Sequence, residues 1–418
     1  MTRQERIIFT LITIFFITLF PSWLRIVNII VIGAIFISCF VFFPLREKLD
    51  LLRQRKSVQS MLLFFLLILL SFALSANVSK GLDYLVLQLP LLLFPISIGL
   101  IYLRPYLKNR ILVNYAIITT LYCVICLATS TYAYLATHRG DAIYNDNLTS
   151  IIDQQSVYIA FLVNVAIYVY LHNILFKDSG YKFWMALAVV FLFGISYLLG
   201  SRINLAALVV MSMGLVFYYI ISNRLLLEGL TLLLALVIGA FIILKLQPQM
   251  LNRYKELSYS KFDYESQGQE SHYNVELSAD QWNGANLRLA VWSCGWELFK
   301  ENPILGVGLG DKKDELFEKY EQKNFHFAIK TNKNVHNNYL DILFSMGITG
   351  FAVFIIAWVA LPITSAFKDG DSLALIIMLT LALAWITEIY LSRSIGGIIG
   401  GFFVPFLLTD KGKKEGQP

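Results

Sequence analysis

The sequence predicts an all-α, polytopic membrane protein with about 12 transmembrane helices and one large extramembrane loop region. Three observations predict it. Of 418 residues, 57% are hydrophobic and only 15% charged, against about 25% charged in an average soluble domain. Mean hydropathy is +0.65. The apolar residues gather into runs of about 20, the length that crosses a bilayer as a helix. Together these exclude a disordered chain, a nucleic-acid-binding module and an ordinary cytosolic enzyme.

The expected spans are 7–22, 25–44, 58–77, 82–103, 111–136, 155–176, 182–200, 203–222, 225–244, 347–367, 372–391 and 394–409. Arg3 and Arg6 give the first run the look of a secretion signal. No small-residue cleavage site follows it, so it reads as a retained signal anchor. Gly200-Ser201-Arg202 breaks 182–222 into two helices. The last run is short and carries Gly396, Gly397, Gly400 and Gly401, which would let neighbouring helices approach closely. Counted alternately, the tails and loops of one side hold 17 Lys and Arg, and the short loops of the other side hold 5. Positive residues accumulate on the cytosolic side, so both termini are expected there, and the long polar stretch lies outside, in the periplasm of a Gram-negative cell. The expected organisation is spans 1–9 over 1–246, a periplasmic loop region over 247–335, a re-entry segment with spans 10–12 over 336–409, and a cytosolic tail over 410–418.

Residues 247–334 hold 11 Lys and Arg against 13 Asp and Glu. That balance is no basic patch, so nucleic acid is not the partner. Residues 253–283 read as loop. Residues 285–300 read as an amphipathic helix ended by Asn302-Pro303, and 311–323 as a second, solvated helix. Cys123 and Cys126 have CxxC spacing but sit mid-span with no second pair, so they and Cys39 read as packing residues; Cys294 stands alone in the polar stretch. Gly306-Val307-Gly308-Leu309-Gly310 lacks the Lys-Ser/Thr and the preceding strand of a phosphate loop, and reads as a tight turn. Asp369-Gly370-Asp371 reads as a polar turn. Nothing argues for a metal, ATP or another cofactor.

Polar groups at the outer ends of spans are the candidates for chemistry, because charge at membrane depth is costly. Arg202 either snorkels to the interface or, held in a short turn, grips a phosphate by paired hydrogen bonds. Arg288, among Leu287, Leu289, Trp292 and Trp296, is either an anion ligand or a partner of Glu297 or Glu301. Glu388 and Arg393 read as a structural ion pair. His336 is either a general base for an attacking hydroxyl or a plain hydrogen-bonding residue. His138, beside Arg139 in an exterior loop, stays open, and His172, His272 and His326 are weaker candidates.

Three features carry a family resemblance. Ser201-Arg202 begins a span. Asn286-Leu287-Arg288-Leu289 with Trp292 leads into Asn302-Pro303-Ile304-Leu305-Gly306-Val307-Gly308. His336-Asn337-Asn338-Tyr339-Leu340 runs on to Gly347-Ile348-Thr349-Gly350. Over about 190–365 the chain resembles the O-antigen ligase/O-antigen polymerase superfamily of bacterial membrane glycosyltransferases, and most resembles an O-antigen ligase.

The resemblance implies a GT-C-type fold and metal-independent transfer of a glycan from undecaprenyl pyrophosphate to a hydroxyl of lipid A-core, at the periplasmic face of the inner membrane. It implies Arg202 and Arg288 as pyrophosphate ligands and His336 as general base, with inversion at the anomeric carbon. Asn337, Asn338 and Tyr339 would orient the histidine or bind sugar. Membrane lipids and the lipid tail would lie against Phe- and Leu-rich faces. One dominant exterior loop favours a ligase over a polymerase, and the absence of a further domain after the last span disfavours a protein O-oligosaccharyltransferase. A transporter of lipid-linked glycans is the alternative from another class; no matching pair of broken helices supports it.

Overall fold

The computed structural model describes residues 1–224, 227, 230, 231, 234, 238, 261–266, 268 and 282–410, and among them the fold is all-helical. In chain order the helices are α1 Arg3–Leu19, α2 Arg25–Phe42, α3 Leu45–Gln54, α4 Lys56–Ala73, α5 Val78–Gln88, α6 Pro90–Ile96, α7 Pro105–Thr137, α8 Asn145–Leu148, α9 Ser156–Phe176, α10 Lys182–Leu198 and α11 Arg202–Asn223. They continue with α12 Asn286–Glu301, α13 Lys312–Gln322, α14 His326–Lys330, α15 Asn338–Phe354, α16 Leu361–Lys368, α17 Ser372–Ala384 and α18 Ser394–Leu407.

Seven stretches among the described residues are long and apolar enough to cross a membrane: Ser22–Phe42, Lys56–Ala73, Val78–Leu100, Pro105–Thr137, Ser156–Phe176, Arg202–Asn223 and Asn338–Lys368. α10, α17 and α18 are shorter apolar helices. The chain is a multi-pass membrane protein. The expected span 225–244 and most of the expected loop 253–283 lie outside the described residues, and the expectation of twelve spans rests partly on them. Three boundaries differ from expectation. The 82–103 run is divided into α5 and α6 at Leu89, with Pro90 opening α6, since proline tolerates the first turn of a helix and not its middle. The run expected at 347–367 is already helical from Asn338. The run expected to reach 391 leaves the helix after Ala384. The two extramembrane helices expected at 285–300 and 311–323 are α12 and α13.

α9 is apolar on every side and accordingly sits inside the bundle, with residues Tyr158–Tyr170 all buried. It packs against α7, α10, α11 and α17. Its one mid-helix amide is fully satisfied. Asn164, wholly buried, donates to the Asn204 carbonyl at 2.7 Å and accepts from Ser196 Oγ at 3.2 Å, tying α9 to α10 and α11. α18 closes on α6 so tightly that a side chain at Gly401 would meet the Pro90 carbonyl oxygen at 2.6 Å, the close approach that its glycines led us to expect.

Loops assigned to opposite sides by the charge count collect at opposite ends of the bundle. At one end Lys108 Nζ meets Asp371 at 3.0 Å, Asp410 at 2.8 Å and the Leu407 carbonyl at 2.7 Å. Beside it the Arg55 guanidinium donates to the carbonyls of Gly99, Ile101 and Thr409. At the other end the Asp311 carboxylate accepts from the backbone N–H groups of Ala76 and Asn77, just past α4. Lys312 Nζ, 3% exposed, lies 2.6 Å from Asp341 and 2.7 Å from Ser392 Oγ.

The helix α15 is interrupted at Gly347, whose φ of 64° and ψ of −170° are non-helical. Backbone groups freed there must find partners, because water is scarce at such a depth. They find them in the segment after α12. Val307 and Gly308 donate their N–H groups to the carbonyls of Phe344 and Ser345, at 2.9 and 3.0 Å. In return Ile348 and Thr349 donate to the carbonyls of Pro303 and Ile304, at 2.9 and 3.4 Å. A side chain at Gly347 would collide with the Ile304 carbonyl. The Gly306–Gly310 stretch is thus the expected turn; Gly306 lets it lie directly on the backbone of α15, and Gly310 lets it lie on the Asn77 carbonyl after α4.

Candidate active site

His336 ends the loop that enters α15. Its backbone sits at φ 44°, a left-handed conformation that costs an L-residue energy and is held by its surroundings. Its own N–H donates to Asn334 Oδ1 at 2.7 Å. Asn337 then caps α15, its side chain accepting from the Leu340 N–H at 3.1 Å. Asn338, fully buried, donates its N–H to the Trp385 carbonyl at 2.8 Å and accepts from the Leu391 N–H at 3.0 Å. Tyr339 donates its hydroxyl to the Ala382 carbonyl at 2.8 Å. Asn338 and Tyr339 therefore hold the histidine segment against α17 and the 385–393 link.

That link delivers the partner of the imidazole. His336 Nδ1 lies 2.9 Å from Glu388 Oε2. The carboxylate can only accept, so Nδ1 donates to it, and whenever the ring is neutral Nε2 presents the lone pair. Burial opposes the charge of Glu388. The His336 hydrogen bond and charge, the Ile389 N–H and the Arg393 charge outweigh burial and hold the carboxyl below the ordinary range. Glu388 was expected to pair with Arg393. It pairs with His336 instead, and Arg393 acts on it only through charge, because the chain leaves α17 at Ala384 and turns the carboxylate toward the loop. Sequence reading missed this pairing; an acidic residue at the outer end of an apolar run was the available signal.

The two expected arginines stand on elements that converge on this segment. Arg288 is half-buried on α12, which packs against α15. One turn on, Trp292 Nε1 donates to the Val335 carbonyl at 2.8 Å, fixing α12 to the residue before His336. Arg288 Nη1 lies 3.3 Å from the Gly284 carbonyl. Arg202 is half-buried in the first turn of α11. In that turn Asn204 Nδ2 donates to the Val157 carbonyl, which also accepts from the hydroxyl of Tyr390, two residues past Glu388. One apolar core, with Trp282, Val291, Leu298, Tyr320, Phe325, Val335, Phe344 and Ile389, underlies α12, the loop and the link. Cys294 belongs to it, and burial pushes its thiol up to about 11, which makes it a packing residue. Cys39, Cys123 and Cys126 are also free and buried. Arg139 pairs with Asp141 at 2.9 Å on the surface, beside His138. His272 lies outside the described residues.

Residues 187–355 match the family described as O-antigen ligase. The match takes in Arg202, Arg288, His336 and the Gly347 break, and ends before Glu388. Over that stretch the likeness to the O-antigen ligase superfamily holds. No curated protein matches the sequence.

Proposed function

Proceeding from that family match, we propose that the protein is an inverting membrane glycosyltransferase that moves a glycan from undecaprenyl pyrophosphate to a hydroxyl of lipid A-core at the periplasmic face of the inner membrane. The observation that carries this reading is the His336–Glu388 pair, seated where the elements bearing Arg202 and Arg288 meet. His336 Nε2 takes the proton of the acceptor hydroxyl as its oxygen attacks the anomeric carbon. The bond from that carbon to the pyrophosphate oxygen breaks, and undecaprenyl pyrophosphate leaves. Negative charge grows on the leaving group, and Arg202 and Arg288 neutralise it without a metal or ATP. Attack from the face opposite the pyrophosphate inverts the carbon. Asn337, Asn338 and Tyr339 serve by orienting His336.

The test is a transfer assay on purified protein with undecaprenyl-pyrophosphate-linked glycan and lipid A-core, without added metal or ATP. The expected result is a glycan-shifted core band on a gel, lost in His336→Ala and in Arg288→Ala. Lengthened lipid-linked glycan without shifted core would make the enzyme a polymerase. A bond between sugar and pyrophosphate that stays intact under all conditions would overturn transfer in favour of transport.

A further inference from the structure

A cavity of about 190 Å³ opens between the α1–α2 turn, the start of α9 and the start of α18. Ser22, Arg25, Asn28, Asp153, Tyr158 and Arg393 line it. It lies at the His336 end of the bundle: Arg393 is five residues past Glu388, and its charge reaches both Glu388 and Tyr158. Neither Arg202 nor Arg288 lines it.

Its chemistry is that of an anion site with hydroxyl recognition. Two guanidiniums face one carboxylate, and that carboxylate, Asp153, already accepts from Ser22 Oγ at 2.6 Å. Arg25 and Arg393 are exposed, and neither has an ion-pair partner among the described residues. Two nearly enclosed side chains, Asn28 and Tyr158, bring polar atoms to the cavity. Asn28, 2% exposed, spends its amide N–H groups on the Phe15 carbonyl and Thr18 Oγ1, and its Oδ1 has no hydrogen-bond partner within the protein. Tyr158, also 2% exposed, stacks edge-on against Tyr390, and its hydroxyl faces the Arg393 guanidinium. Leaving a buried acceptor such as Asn28 Oδ1 unsatisfied is costly. Arginines that merely snorkel to a membrane interface need no such company. Here three distant chain stretches bring two cations, a buried hydroxyl and an unsatisfied buried carbonyl to one cavity.

We propose that this cavity is a second anion subsite, which holds a phosphate or carboxylate borne on a sugar of the acceptor glycan. Arg25 and Arg393 grip the anion. Asn28 Oδ1 accepts from a sugar hydroxyl, and the Tyr158 hydroxyl donates to the anion. Identifying the ligand as the acceptor rests on the transferase reading, in which Arg202 and Arg288 are given to the donor pyrophosphate and the acceptor must approach His336.

Two measurements on the detergent-purified full chain decide it. In the first, transfer rates are compared for a phosphorylated acceptor oligosaccharide and the same acceptor after phosphatase treatment. Wild type is expected to prefer the phosphorylated form, and Arg25→Gln/Arg393→Gln to lose that preference at least about tenfold in the ratio of kcat/KM values. An unchanged ratio in an active variant overturns the proposal, as does an effect confined to the KM of the donor. The second uses titration calorimetry with inorganic phosphate in an Arg202→Gln/Arg288→Gln background. Binding is expected to persist there and to vanish when Arg25→Gln and Arg393→Gln are added; no binding in that background overturns the anion subsite. If wild type transfers to neither acceptor, the transferase reading falls, and the calorimetry still decides whether the cavity holds an anion.

Discussion

The two ends of the helical bundle both gather charge, and they treat it differently. At the Lys108 end the buried Lys108 and Arg55 are matched inside the fold. Lys108 meets two carboxylates and a carbonyl, and Arg55 meets three carbonyls. At the His336 end one cation, Lys312, is enclosed in the same manner by Asp341 and Ser392. The remaining groups stay within reach of a ligand: His336, with its side chain 28% exposed, half-buried Arg202 and Arg288, and exposed Arg25 and Arg393. Charge that is enclosed and matched fastens helices together. Charge left reachable beside a basic imidazole is available to a substrate.

The comparison is easiest to break with the largest effects. His336→Ala is expected to lower turnover about 10²–10⁴-fold, the range for loss of a general base, while the thermal unfolding midpoint stays close to wild type. Lys108→Met should do the reverse. It strands Asp371 and Asp410, costing about 3–5 kcal/mol, seen as a lower unfolding midpoint in detergent with unchanged turnover per folded molecule. If Lys108→Met instead lost turnover at full stability, the division between the two ends would fail.

Smaller effects sharpen it. Gly347→Ala must place a side chain at φ 64° against the Ile304 carbonyl, at a cost of at least about 2 kcal/mol, measured as a reduced yield of folded protein. Glu388→Gln keeps the shape and removes the charge. We expect roughly tenfold slower transfer, with the acid limb of the rate profile moved to lower pH and the KM for donor unchanged. An Asp at 388 should restore less than half of the loss, since its shorter chain falls back from Nδ1.

Much of this was legible in the sequence, for reasons that particular residues make plain. α9 and α11 announce themselves by unbroken apolar runs. α12 and α13 stand out as helix-forming segments in polar surroundings. His336 is conspicuous as a titratable residue beside an apolar run. What was hidden depends on partners far away in the chain. The start of α15 fell outside the expected span 347–367; it carries Asp341, whose charge is answered by Lys312, 29 residues earlier. Glu388 looked like the neighbour of Arg393, because nothing local reveals a histidine 52 residues upstream. The cavity was invisible for the same reason, as its lining comes from three separate stretches.

The exchange of backbone hydrogen bonds across Gly347 also bears on how the site moves. Four such bonds join the segment after α12 to α15 on both sides of the break, and Trp292 adds a fifth link to Val335. The helix carrying Arg288 and the loop carrying His336 are thereby one stiff body, whose spacing is set by four main-chain bonds and one indole. Such a body cannot hinge open between its two functional groups. A bulky lipid-linked substrate must therefore enter, and the spent carrier leave, by displacement of other walls.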